Sequence, residues 1–271
     1  MKYEITIFTP TYNRAYILPQ LYKSLIEQSD KSFEWLIVDD GSEDNTTCIV
    51  AEWQRNKIIT IRHIKTSNGG KQRAINRGAI EAEGELFFIV DSDDYLSSDA
   101  VATILSDWES IEKTKETVSG FCYKRVNYKT GKYIGNDFPE PPITTSLLKM
   151  VYFYKINGDM VQIFQTQMLR KFTFPEIEEE KFVPEGYIWY RITNEKPMIF
   201  INKGIYFCEY LPDGYTHNVK QNFRQNPKGF AIFYKDLIRY KEVSLKDKLK
   251  SLIRYFQMQY YILCNSCRKR N

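Results

Sequence analysis

Three carboxylates lie within four residues in Asp91-Ser92-Asp93-Asp94, directly after the apolar run Leu86-Phe-Phe-Ile-Val90. An unbroken apolar run of this kind fits a strand buried on both faces, as in a parallel sheet. Open α/β sheets bind their ligands beyond the carboxyl ends of the strands. Carboxylates placed there can hold Mg²⁺ or Mn²⁺, hard ions that prefer oxygen donors and share phosphate oxygens with a ligand. The same residues read equally as a solvated turn that caps the next helix.

A second acidic turn, Asp39-Asp40-Gly41-Ser42, closes the apolar run Phe33–Val38. Adjacent carboxylates repel unless something neutralises them. A divalent ion, or the base and ribose donors of a nucleotide, would do so; a plain turn is the alternative. Gly69-Gly70-Lys71 precedes a helical pattern and could offer backbone N–H groups to an anion. It is neither GxGxxG nor GxxxxGK[ST], so neither a Rossmann dehydrogenase nor a P-loop ATPase is indicated. Tyr12, in the polar turn Thr11–Arg14, is either core or a stacking surface for a base. Glu185 follows Pro184 at a helix start, where a carboxylate complements the helix dipole or serves as a general base. His217 is one of two histidines; it reads as an exposed loop residue or as a metal or phosphate ligand.

Short strands and helices must position these groups. Strands are expected at Ile5–Thr9, Phe33–Val38, Ile58–Ile64 and Glu85–Val90. Helices alternate with them at Ile17–Gln28, Glu43–Arg55 and Gln72–Glu83. This order means βαβ units and a parallel sheet. Right-handed crossovers then bring the strand ends, and with them all four polar turns, to one edge. A helix at Ser98–Lys113 and a strand at Phe121–Val126 follow. Pro139-Glu-Pro-Pro142 reads as a rigid extended connector. Beyond it a short helix at Ser146–Tyr154, a strand at Val161–Gln165, a helix at Pro184–Thr193 and strands at Met198–Asn202 and Ile205–Tyr210 are expected. Leu211–Gly214 reads as a turn, and the chain from Lys228 onward as helical, with a break near Val243-Ser244. No internal repeat or low-complexity tract is visible.

With 271 residues and 43% hydrophobic content the chain can build a sizeable core. A net charge of +4 is too small to indicate a nucleic-acid partner, and none is expected. Five scattered cysteines make a poor disulfide framework and suit a reducing compartment; Cys264-x-x-Cys267 lacks the second pair a zinc site needs. No signal peptide is visible and no apolar stretch reaches the ~20 residues of a membrane span. A cytoplasmic location is therefore expected, with contact at the inner face of the plasma membrane left open.

Taken together, Thr9-Pro10-Thr11-Tyr12-Asn13-Arg14, Val38-Asp-Asp-Gly-Ser42, Asn68-Gly-Gly-Lys71 with Asn76-Arg-Gly78, and Asp91-Ser92-Asp93-Asp94 resemble, in order, the motifs of the inverting glycosyltransferases of family 2. The resemblance is strong over residues 3–95 and weaker beyond. It implies a GT-A fold: an α/β, Rossmann-like, mainly parallel sheet flanked by helices. It also implies a nucleotide-sugar donor, usually a UDP-sugar. Thr9, Pro10, Asn13 and Ser92 would belong to the nucleotide site. Tyr12 would stack on the base, Asp40 would bond the base edge with Asp39 beside it, and Lys71 would contact the nucleotide. Asp91 and Asp93 match the DxD motif that holds Mg²⁺ or Mn²⁺, with His217 a further candidate ligand. Glu185 lies in the segment that resembles the one carrying the catalytic base, although many members have Glu-Asp where Pro184-Glu185 stands.

The expected organisation is a GT-A domain over residues 1–215, with a nucleotide-sugar half at 1–95 and an acceptor half at 96–215. A helical extension would occupy 216–271. In that extension Leu245, Leu249, Leu252, Ile253, Phe256, Tyr260 and Leu263 can share one helix face, among Lys246, Lys248, Lys250, Arg254 and Arg268-Lys-Arg270. Such a helix suits an anionic membrane, the domain itself or a second subunit in a homodimer. The expected acceptor is a glycan or lipid-linked glycan. The alternatives are a nucleotidyltransferase that makes sugar nucleotides and a glycan- or nucleotide-binding protein without turnover.

Overall fold

The computed structural model describes residues 2–208 and 219–268. His217, the turn Leu211–Gly214 and the expected domain boundary at 215/216 lie outside the described residues.

The first half alternates as the sequence predicts. β1 (Tyr3–Thr11), α1 (Leu18–Ile26), β2 (Phe33–Asp39), α2 (Thr46–Asn56), β3 (Thr60–Lys65), α3 (Lys71–Glu81) and β4 (Gly84–Ile89) follow one another. The strands pair in parallel, with β1 between β2 and β4, and β3 outside β2. Every residue of β2 is buried, because helices cover both faces. Side chains alternate across a strand, so Trp35 and Ile37 join Leu18, Leu21 and Leu25 of α1 on one face. Leu36 and Val38 join Ala74 and Ile75 of α3 on the other. At Gly78 a Cβ would stand 2.3 Å from the Phe8 ring, so the glycine is what lets α3 lie close on β1.

The second half extends the same sheet. β5 (Tyr95–Leu96), α4 (Ala100–Ser110), β6 (Gly120–Asn127), β7 (Ile143–Thr145), β8 (Met160–Gln165), α5 (Thr166–Lys171), α6 (Gly186–Glu195) and β9 (Met198–Cys208) complete it. The strand order is β3-β2-β1-β4-β8-β6-β9-β5, with β7 paired to β9. Past β4 the sheet is mixed: β8 runs antiparallel to both β4 and β6, and β9 parallel to β6. The two strands expected at 198–202 and 205–210 are one strand as far as Cys208; it stays continuous where its pairing with β6 shifts register. The segment 139–142 is not extended, since Glu140 takes φ 46° and turns the chain.

Toward the C-terminus, α7 (Val219–Gln225), α8 (Pro227–Leu237) and α9 (Leu245–Arg268) form a helical layer. Buried Glu180 accepts the N–H groups of Lys228 (2.9 Å) and Gly229 (2.8 Å), capping the start of α8. Arg191 of α6 pairs with Asp236 of α8 through two hydrogen bonds of 2.9 and 3.0 Å.

Candidate active site

The strand ends converge as the topology requires. Thr11 lies in register with Asp39, the Asp40 N–H donates to the Thr11 carbonyl (2.8 Å), and the Val90 N–H to that of Phe8 (2.8 Å). Beyond them opens a cleft of about 850 Å³. Pro10, Tyr12, Asp40, Lys71, Asp91, Ser92, Asp93 and Glu185 all line it. Tyr12 is 47% exposed there, so its ring is free to stack.

Asp91 is the most engaged carboxylate. Its Oδ1 lies 2.7 Å from Lys71 Nζ, its Oδ2 3.8 Å from Arg125, and its backbone N–H donates to Tyr206 Oη at 3.0 Å. Burial pushes this carboxyl up, but Lys71 and Arg125 outweigh burial and hold it below the usual range. Asp94 Oδ2 accepts the Tyr206 hydroxyl at 2.6 Å and faces Arg125 at 3.5 Å. Burial and the charge of Asp91 nevertheless push Asp94 up to about 8. The Asp93 carboxyl is raised as well, first by burial and then by Asp91.

Lys71, the first residue of α3, joins the two sides of the cleft. Its Nζ stands 2.9 Å from Glu185 Oε1 as well as 2.7 Å from Asp91. Burial opposes its charge, yet the two carboxylates raise its pKa, so it remains a cation. Glu185 is the N-cap of α6. The expected DxD aspartate and the expected base thus face each other across one lysine.

The second acidic turn works differently from the sequence expectation. Asp40 is only 6% exposed. Its Oδ1 accepts the Gly69 N–H (2.7 Å), and its Oδ2 accepts the Gly70 N–H (2.8 Å) and the Asn68 side-chain amide (3.2 Å). The anion cradled by the glycine loop is therefore this chain's own carboxylate. Gly70 makes the loop possible: at φ +96° a Cβ would meet the Lys181 carbonyl oxygen at 2.0 Å.

Three expected nucleotide contacts do not reach the cleft wall. Asp39 is fully buried behind it; its Oδ1 accepts the Ser42 N–H at 2.7 Å and its Oδ2 stands 3.6 Å from His63. Burial raises the Asp39 carboxyl, but His63 and Ser42 together hold it below its ordinary value. Thr9 is buried and accepts the Trp35 indole N–H at 2.9 Å. Asn13 Oδ1 accepts the Glu43 N–H at 2.8 Å, tying two loops together. Each is engaged by neighbouring loops or side chains through the atoms just named. Conversely, Arg125, Tyr206 and Lys181 belong to the site and were not read from the sequence. The one available signal was a pair of cations, Lys124-Arg125, inside an otherwise apolar strand.

Among the described residues no group of three His, Cys, Asp or Glu could by itself hold a metal ion. Asp91 and Asp93 fit a hard divalent ion all the same. Both offer oxygen donors, and burial first and then the neighbouring Asp91 charge disfavour ionised Asp93, a cost that a bound cation would offset.

The mixed α/β sheet, with paired aspartates and a lysine at its strand ends facing a glutamate on α6, has the GT-A fold. The model of glycosyl transferase family 2 matches residues 6–174, and the chain belongs to that family. It is a glycosyltransferase, which removes the nucleotidyltransferase reading. The Campylobacter jejuni GalNAc(5)-diNAcBac-PP-undecaprenol beta-1,3-glucosyltransferase is 25% identical over 264 residues, covering 95% of this chain and 82% of that one. Staphylococcus aureus TarS, solved as residues 1–349 with UDP-GlcNAc, superposes with a TM-score of 0.62 at 21% identity, over 95% of this chain and 72% of that one. The mannosyltransferase PcManGT of Pyrobaculum calidifontis, solved with GDP-Man and Mn²⁺, gives 0.59 at 17% identity, over 98% and 76%. These two structural likenesses bear on the fold.

Proposed function

We propose that this enzyme transfers a glycosyl group from a UDP-sugar to a hydroxyl of a lipid-linked glycan, with inversion and with help from Mg²⁺ or Mn²⁺. The observation that carries this reading is the Lys71 bridge, which sets Asp91 and Glu185 on opposite sides of one cleft. Relatives supply the substrate classes: UDP-GlcNAc in the TarS complex and an undecaprenol-linked acceptor in the C. jejuni enzyme.

In this reading Tyr12 stacks on the base and Asp40 uses its remaining lone pair on the base edge. Lys71 turns from the carboxylates to the diphosphate, where its charge offsets that of the leaving group. Glu185, released from Lys71, accepts the proton of the acceptor hydroxyl. That oxygen bonds to the anomeric carbon as the bond to the diphosphate breaks, and UDP leaves with the electron pair. One displacement inverts the centre and needs no enzyme nucleophile. Asp91 and Asp93 would hold the divalent ion, which supplies further charge stabilisation to the departing diphosphate. The helices α7, α8 and α9 act as an extension, docked on α6 through α8, rather than as part of the cleft.

The test is transfer from a panel of UDP-sugars to an undecaprenyl-diphosphate-linked glycan, by wild type and Glu185→Gln. Wild type should turn over one donor. The variant should bind UDP normally and lose roughly 10²–10⁴-fold in rate, the usual contribution of a general base. Undiminished transfer by Glu185→Gln would place the base elsewhere.

A further inference from the structure

The helix α9 has two apolar faces, and the layer beneath it uses only one. Met258 is fully buried against Phe223 and Phe230, and Ser251 on the same side is 6% exposed. Leu245, Leu249, Ile253, Phe256, Tyr260 and Leu263 point the other way and are 59–84% exposed. At 3.6 residues per turn they fall within an arc of about 80° and make a stripe about 27 Å long. A contiguous apolar surface of this size is seldom left to water.

The charge around the stripe indicates what covers it. By the same helical geometry Lys246 and Lys248 flank it on either side. Residues 245–271 hold seven Lys or Arg and one acidic residue, while the rest of the chain holds 31 and 33. The positive excess of the whole protein therefore lies in this segment. A second copy packed stripe to stripe would bring the two basic margins together. An anionic bilayer satisfies both the apolar stripe and its lysines. No helix among the described residues is long and apolar enough to cross a membrane, so α9 would lie in the surface rather than span it. The start of α9 lies near the segment that lines the cleft. Val151 lines the cleft, and four residues on Lys155 pairs with Asp247 of α9 at 3.6 Å. Between them Phe153 is 70% exposed.

We infer that α9 docks the enzyme on an anionic lipid surface through this stripe, bringing the cleft to acceptors held in the bilayer. The docking rests on α9 alone; that it serves acceptors held in the bilayer rests on the function proposed above. The test is co-sedimentation of the full chain with vesicles of phosphatidylcholine alone and of equal parts phosphatidylcholine and phosphatidylglycerol. Light scattering and UDP titration are run on the same proteins. Wild type should bind the anionic vesicles, less so at high salt. Lys246→Gln/Lys248→Gln should lose about 25-fold in partitioning, roughly fivefold for each lysine, and Leu249→Ser/Phe256→Ser at least tenfold. Lys246, Leu249 and Phe256 are exposed and Lys248 is half-buried, and both variants should keep the melting temperature and UDP affinity of wild type. No binding to either vesicle, or equal binding by the variants, overturns the inference. A dimer that the stripe variants dissolve gives the face to a second copy and overturns it too. Loss of UDP binding in wild type would count against the cleft reading alone.

Discussion

Asp40→Asn separates two roles that the acidic turn could have. If Asp40 served only to recognise a base, the substitution would weaken UDP binding and leave the fold alone. The structure predicts a large loss of stability. The carboxylate accepts two backbone N–H groups, from Gly69 at 2.7 Å and Gly70 at 2.8 Å, and an amide of Asn68 at 3.2 Å. Asparagine keeps one oxygen for one glycine and turns an NH₂ donor toward the other. A hydrogen bond to a charged group contributes about 1.5–3 kcal/mol, and a buried donor left unpaired costs about 1–3 kcal/mol. Allowing for relaxation, the sum is about 3 kcal/mol, which for a chain of this size lowers the melting temperature by roughly 6–12 °C. Thermal and urea unfolding read this directly, alongside UDP titration at a temperature where the variant is folded. A variant within about 0.5 kcal/mol of wild type would refute the cradle as a structural element, whatever happened to UDP.

Three further outcomes follow from the same geometry. Asp93→Asn should abolish metal-dependent turnover while holding or slightly raising the melting temperature, because burial and Asp91 already disfavour the charge on Asp93 in the folded state; wild-type turnover would remove Asp93 from metal binding. Asp39 has a folded-state pKa below its ordinary value, so its ionised form stabilises the fold above about pH 4, and that contribution disappears as pH falls through the folded-state value. Acid unfolding of Asp39→Asn should accordingly be shallower than that of wild type, and identical pH curves would contradict the buried Asp39–His63–Ser42 arrangement. Gly70→Ala combines φ +96° with a Cβ 2.0 Å from the Lys181 carbonyl oxygen and should cost more than the roughly 1 kcal/mol of an unfavourable backbone alone, as a melting curve would show.

The parallel half of the fold was legible because each of its strands is a short apolar run bounded by polar turns, and because right-handed crossovers leave no freedom about where the strand ends go. The DxD aspartates, Tyr12 and Lys71 could be placed from the sequence for that reason; Glu185, at the start of α6, was singled out by its place after Pro184 and by the resemblance of its segment. Asp39 and Asp40 could be placed at the edge, but their neutralisation could not be read. Asp39 is held by the Ser42 N–H and faces His63, 24 residues on, at 3.6 Å, and Asp40 is held by glycine N–H groups whose direction depends on the φ of Gly70. Arg125 and Tyr206 reach the site from β6 and β9, strands that meet only through a mixed, register-shifted sheet. No local periodicity encodes that meeting. The short α5 and α7, and the two-residue β5, are below the length at which a hydrophobic repeat becomes visible.

The charges lining the cleft make metal dependence of UDP binding a physical expectation as well as a family habit. Four Lys or Arg and six Asp or Glu line it. Asp94, pushed up to about 8, is mostly protonated at neutral pH, which leaves a net charge near −1. A diphosphate brings about two more negative charges. Placed ~6 Å from that excess at an effective dielectric of ~20, it meets a repulsion of about 5 kcal/mol. Halved for the solvent in an open cleft, this is still close to 3 kcal/mol, or roughly a hundredfold in affinity. A divalent ion between Asp91 and Asp93 offsets the incoming charge. Calorimetric titration with UDP in Mn²⁺ and again in EDTA should therefore differ by about two orders of magnitude. Equal affinity in the two would mean that Lys71 and Lys181 take the diphosphate unaided, and that Asp91 serves to hold Lys71 in place.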